Sequence, residues 1–141
     1  MSSVTLEQAS VIVDTALAKG REMGFAPLTV VVLDAGGHAV AMKRENKSSL
    51  LRPQIAHGKA WGALGMGLPG RKLRERAKDN PSFFAALSDL SGGNMVANPG
   101  GVLIRDAAGD IIGAVGISGD TGENDEICAV AGIVAAGLVS D

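Results

Sequence analysis

The chain predicts one α+β domain: a central, mainly antiparallel sheet built from two hairpins, flanked by helices. Three observations lead there. Two pairs of apolar runs are joined by short turns, Asp34-Ala35-Gly36-Gly37 and Asp106-Ala107-Ala108-Gly109-Asp110. Stretches with helix-period apolar residues precede, separate and follow those pairs. At 141 residues the chain suits a single domain, residues 1–141, with no linker or internal repeat.

Thr5-Leu6-Glu7-Gln8 has the form of a capping box, in which the Thr5 hydroxyl and the Gln8 side chain satisfy opposing backbone N–H groups. Leu6, Ala9, Ile12, Val13, Ala16 and Leu17 then recur at helical spacing up to Gly24, so this first helix covers the sheet. Leu28 to Leu33 is almost wholly apolar and rich in β-branched residues, as a strand buried on both faces requires. His38 to Arg44 returns as the second strand. Strict alternation puts His38, Val40, Met42 and Arg44 on one face, and Ala39, Ala41 and Lys43 on the other.

Ser48 or Ser49 can cap a helix from about Leu51 to Leu64, with Pro53 tolerated in its first turn. One stripe of that helix is Ile55, Ala56, Lys59, Ala60 and Ala63; the other is His57, Trp61 and Leu64. A charged helix from about Arg71 to Lys78 and a helix from Ser82 to Leu90, carrying Phe83 and Phe84, come next. Ser91 to Gly101, with four glycines, two asparagines and Pro99, is a loop by composition. Strands Val102–Asp106 and Asp110–Ser118 form the second hairpin. Asp120, with Glu123 three residues on, gives another capping signature. Ile127, Val130, Ala131, Val134, Ala135 and Leu138 form the stripe of the last helix.

Twenty glycines, three Phe, one Trp and no Tyr describe a core of small side chains, which buries less area per residue than an aromatic one. Burial between subunits makes up such a difference, so a homo-oligomer is expected. A formal charge of −2 carries no footprint for nucleic acid or an acidic membrane. The run Arg71-Lys72-Leu73-Arg74-Glu75-Arg76-Ala77-Lys78 reads as a solvated helix face, with an anion-docking patch as the alternative. The single cysteine, Cys128, cannot form an internal disulfide and fits a reducing compartment. Met1 to Thr5 lacks the pattern of an export signal, and no apolar run approaches the roughly 20 residues that span a bilayer. A cytoplasmic location is therefore expected.

The Gly113-x-x-Gly116-x-x-Gly119 spacing fits neither a dinucleotide fingerprint nor a Walker loop and suits close backbone contact instead. Glu123, Asp125 and Glu126 complement the positive end of a helix dipole, and no metal site is predicted there. Cys128 reads as an inert buried thiol. Arg44, on a strand face, needs a partner: a bound carboxylate, or a structural carboxylate such as Asp125 or Glu126.

Five motifs occur in order: Val32-Leu33-Asp34-Ala35-Gly36-Gly37-His38-Ala39-Val40 with Arg44; Ile55-Ala56-x-x-Lys59-Ala60; Gly100-Gly101-Val102-Leu103-Ile104; Ile112-Gly113-Ala114-Val115-Gly116-Ile117-Ser118-Gly119; and Asp125-Glu126-Ile127-Cys128-Ala129. Together they resemble the GlcG/HbpS-like family, which includes heme-binding HbpS proteins and the C-terminal domain of PduO-type corrinoid adenosyltransferases. The resemblance runs from about Thr5 to Leu138. It implies an α/β sandwich, homo-oligomers from dimer to octamer, heme binding in some members, and for many a place in catabolic operons.

The leading expectation is a small-molecule-binding protein, with heme as the ligand. Met42 and Trp61 would line the pocket, His57 or His38 would approach the iron, and Arg44 or Lys59 would pair with propionates. The two histidines are chosen because imidazole suits heme iron, not because the resemblance supplies them. The rival expectation is a cofactor-independent enzyme acting on a small carboxylate or enol. There Arg44 clamps the anion, His57 or Lys59 serves as acid or base, and the Asn94–Gly101 loop forms a lid. An accessory subunit without a ligand is a third.

Overall fold

The structure is a computed structural model and describes residues 2–141; Met1, the first residue of the segment read for an export signal, lies outside them. Helix α1 (Leu6–Met23) starts with the capping box foreseen at Thr5 and Gln8. The hairpin β1 (Thr29–Asp34) and β2 (Ala39–Arg44) follows, then α2 (Arg52–Met66), α3 (Gly70–Asp79) and α4 (Pro81–Leu90). The second hairpin is β3 (Gly101–Arg105) and β4 (Ile111–Ser118), followed by α5 (Gly122–Ala135) and a two-residue strand β5 (Val139–Ser140) that the sequence reading lacked.

The five strands lie in the order β2-β1-β4-β3-β5, and every neighbouring pair is antiparallel. β1 and β4 join the two hairpins into one sheet. Helices α1 and α5 pack against each other and cover one face. There Ile12, Val13, Val30, Val32, Val102, Ile104, Val115, Ile117, Cys128 and Ile133 form the larger core. α2 covers most of the other face, over β4, β1 and β3, with α3 touching β3 beside it, and with a smaller core of Val31, Leu33, Ala56, Ala60, Ala63, Leu103 and Ala114.

Glycines of β3 and β4 explain how α2 sits so close. A Cβ at Gly116 would collide with the carbonyl oxygen of Ala56, and one at Gly101 with that of Lys59. Backbone meets backbone, within one chain. The close approach read from the glycine spacing is real: Gly116 meets the chain's own helix, while a Cβ at Gly113 would meet Leu33 O and one at Gly119 would meet Pro27 O.

Four local expectations need correction. The register of β1 on β2 shifts between Val32 and Leu33, so a bulge falls at Val40 and breaks the alternation. Met42 and Arg44 stay with Val31 and Thr29 on the α2 face, whereas Val40 packs into the α1/α5 core. Neither serine caps α2: Leu51 stands at its start without a side-chain cap, while Ser48 bonds to Thr29 and Ser49 to Arg52. α5 is capped by Thr121 on the Asn124 N–H, because the Asp120 carboxylate accepts from Ala26, Thr121 and Asn124 instead. Its buried stripe is Asp125, Cys128, Ala129, Gly132 and Ile133, leaving Ile127 and Val134 exposed.

Candidate functional site

The outward stripe of α2 carries His57 and, one turn on, Trp61, which the 3.6-residue period places on the same side. His57, Pro53, Gln54, Gly93 and Asn94 line a hollow of about 330 Å³. Trp61, Gly65, Met66, Leu87, Leu90, Ser91 and Met95 line the next, an apolar one of about 170 Å³. The segment after α4 walls both, and the Val96 N–H donates to Gly58 O at 3.0 Å, pinning it to α2. Side chains at positions 58 and 62 would obstruct this approach: a Cβ at Gly58 falls 2.6 Å from Val96 Cγ2. The far edge of the Trp61 ring borders a third hollow, of about 180 Å³, with Ala35, Gly36, Gly37 and Leu64. The result is a shallow groove with an imidazole at one end and an indole, two thioethers and two leucines along it.

The other residues singled out from the sequence lie apart from this groove. His38 stands on the β1–β2 turn with its side chain 81% exposed, 3.3 Å from Asp34 Oδ1. The His38 backbone N–H bonded to the Asp34 carboxylate holds that carboxyl below its ordinary value. Met42 is half exposed on edge strand β2. Arg44 lines a separate hollow of about 470 Å³ with Arg21, Pro27, Glu45 and Asn46, which shares no residue with the hollow at His57. Arg44 donates to Ser48 O at 2.7 Å. The two carboxylates considered for it are engaged elsewhere: Asp125 with Lys59, and Glu126 with Arg71.

Lys59 is sealed beneath α2. Its Nζ donates to Asp125 Oδ2 at 3.1 Å and to Ile117 O at 2.9 Å, while Asp125 Oδ1 accepts from the Asp120 N–H. Burial pushes the Lys59 ammonium below its ordinary value and the Asp125 carboxyl above its own; each charge partly restrains the other's shift. The pair anchors the start of α5 to the middle of α2. Asp125 as this partner was missed, although a lysine in a stripe with Ala56, Ala60 and Ala63 was signal enough to demand a buried acid.

Most of the basic run on α3 is likewise spent within the fold or turned to solvent. Arg71 pairs with Glu126 at 3.1 Å and Arg74 with Glu123 at 2.7 Å, while Lys72, Arg76 and Lys78 are exposed.

Comparison with known proteins places this architecture. The family described as "Haem degrading protein HbpS-like" matches residues 4–134. The chain belongs to the HbpS-like family. Among curated relatives, this HbpS-like chain is 26% identical over 129 residues to an uncharacterized 15.0 kDa protein from the dhaT-dhaS intergenic region of Citrobacter freundii, covering 92% of the chain and 89% of that protein. It is 30% identical over 99 residues to the corrinoid adenosyltransferase PduO of Salmonella typhimurium, covering 70% of the chain but only 29% of PduO. Two solved structures share the fold. A PduOC:heme complex superposes with a TM-score of 0.86 at 24% identity, covering 97% of each chain. HbpS superposes at 0.83 and 24% identity, covering 95% of this chain and 90% of its own.

Proposed function

We propose that this HbpS-like protein binds heme along the α2–α4 groove, where His57 would hold the iron and Trp61 would help hold the ring. The observation that carries the reading is the pairing of a groove-lining histidine with an indole one helical turn away, both walled by the segment after α4. The donor set fits the group: neutral imidazole suits heme iron, and Met66, Met95, Leu87 and Leu90 supply a soft apolar bed. A heme complex of a protein with the same fold supports the choice of ligand. When bound, heme supplies an iron centre; the chain's part is to orient the ring and shield one face from water.

Self-association belongs to the same reading. α4 buries none of its residues, and Phe83 and Leu90 are exposed, Leu90 by 85%. A second copy laid over α4 would cover that apolar surface and deepen the groove. No helix among the described residues is long and apolar enough to cross a membrane. The cytoplasm, where Cys128 remains a thiol, is the proposed location.

Titration of the purified protein with hemin tests the assignment. A shifted Soret band is expected, lost or displaced in His57→Ala and unchanged in His38→Ala. Trp61→Ala should weaken binding by about tenfold, the equivalent of one good ring contact. No Soret shift, or the same shift in His57→Ala, overturns it.

A further inference from the structure

Among the described residues the buried polar side chains are Thr29, Ser48, Lys59, Ser118 and Asp125; Lys59 and Asp125 pair with each other, while Thr29, Ser48 and Ser118 lie by the start of α2. Arg44, Thr29 and Ser118 are cross-strand neighbours on β2, β1 and β4 and share the α2 face. Thr29 Oγ1 and Ser48 Oγ are 2.8 Å apart, and Arg52, the first residue of α2, donates to Ser118 Oγ at 3.0 Å and to Ser49 Oγ at 3.2 Å. Arg44 donates to the neighbouring Ser48 O. Both guanidinium groups therefore rest on one dipeptide, Ser48–Ser49.

Their electrostatic setting is unusual for this molecule. Arg21, Arg71, Arg74 and Arg105 each face a carboxylate, whereas Arg44, Arg52 and the solvent-exposed Arg76 have none within ion-pair distance among the described residues. Of these three, only Arg44 and Arg52 are held by side-chain hydrogen bonds to the fold. Two candidate acids are committed: Glu45, beside Arg44 in sequence, pairs with Arg21 and accepts from the Leu28 N–H, and Asp125 pairs with Lys59. The first turn of α2 adds no acidic residue. Of the five donors on each guanidinium, Arg44 gives one to the protein and Arg52 two, all to neutral oxygens. The loop they hold contains Lys47 at φ 70°, the one non-glycine residue in the left-handed region among those described. Such outliers gather where structure serves binding. Arg44 also opens onto the 470 Å³ hollow that it lines with Arg21, Pro27, Glu45 and Asn46; Arg52 lies outside that hollow and reaches the same loop through Ser49 Oγ.

We infer that Arg44 and Arg52 form a binding site for a small oxyanion, a carboxylate or a phosphate, held against the Ser48–Ser49 loop. An oxyanion accepts the unused N–H donors in the forked geometry that guanidinium favours, and gives these two guanidinium groups the counter-charge that Glu45, paired with Arg21, does not supply. The site is separate from the heme groove and stands or falls without it.

Calorimetric titration of the heme-free protein with succinate, and separately with inorganic phosphate, at an ionic strength matched with chloride, tests this. Saturable binding of at least one is expected, and the one that binds identifies the source of the oxyanion. Arg44→Ala and Arg52→Ala should each weaken it at least tenfold. Arg44→Lys, which keeps the charge but not the fork, should fall between. Arg76→Ala removes an equal charge from exposed α3 and should leave the affinity unchanged. Thermal melts of every variant establish folding, with Arg44→Lys and Arg52→Lys replacing any alanine variant that fails to fold. No saturable heat from either anion, wild-type affinity in both the Arg44 and Arg52 variants, or an equal loss in Arg76→Ala overturns the inference.

Discussion

The two faces of the sheet are built by opposite rules. The α1/α5 face is an apolar core of branched side chains, and both of its helices begin with a fitting cap and an acidic first turn. The α2 face is thin: alanines and glycines let backbone rest on backbone, the helix starts uncapped, and polar groups fill its lower end. One helix cannot cover five strands, so β2 keeps an exposed edge and α2 keeps an outward stripe with hollows along it. The first face holds the fold together. The second leaves room for ligands, and there the groove and the arginine pair lie.

The largest expected effect breaks the second face outright. Gly116→Ala places a methyl against the carbonyl of Ala56, where the obstacle is backbone and cannot rotate away. The cost should exceed the ~3 kcal/mol typical of overpacking, leaving little folded protein by circular dichroism. Gly20→Ala on the α1/α5 side is the matched control. Its new Cβ meets Leu28 Cδ1 at 2.6 Å, the tip of a flexible side chain, and alanine favours the helix by about 1 kcal/mol. A near-neutral urea midpoint is expected there. Equal damage at both positions would mean the faces are packed alike.

Next comes the tie between the faces. Asp125→Ala strands the Lys59 ammonium in a dry site and leaves the Asp120 N–H without its acceptor. Breaking one side of such a pair costs about 3–5 kcal/mol, whereas replacing both partners with apolar residues recovers most of it. Urea denaturation of Asp125→Ala and of the double variant Lys59→Met/Asp125→Leu measures the difference. A loss below ~1 kcal/mol in the single variant would show that water reaches Lys59.

How much of this contrast was legible in the sequence follows from the range of the forces involved. Local signals carried the helices and hairpins: the Thr5–Gln8 box, the β-branched run at Leu28–Leu33 and the glycine turns all act over a few residues. Where two local rules competed, the outcome needed tertiary contacts. Asp120 has the chemistry of a cap, but the unpaired Ala26 N–H across the chain claimed its carboxylate. The bulge at Val40 came from fitting β2 to β1 and separated His38 from Met42 and Arg44. His57 and Trp61 were readable as a stripe because helical spacing is local. Arg52 was not singled out, since its lack of a counter-ion shows only when every nearby carboxylate is placed.

The smallest effect sharpens the comparison from the closed side. Cys128 lies fully buried on α5, and burial, with Asp125 nearby, pushes its thiol up to about 11. Because the folded value lies above the ordinary 9.0, the linked stability is fully present below pH 9 and is lost as pH rises through about 11. Two units correspond to no more than about 3 kcal/mol. Urea melts at pH 8 and pH 11 should therefore show wild type losing more stability than Cys128→Ala, whose pH dependence lacks this contribution. At pH 8 the folded thiol should also react with iodoacetamide about a hundredfold more slowly than the unfolded chain, since both thiolate and access are scarce. Rapid alkylation of folded protein would mean that the α1/α5 face opens as readily as the α2 face, and the division of labour between them would fail.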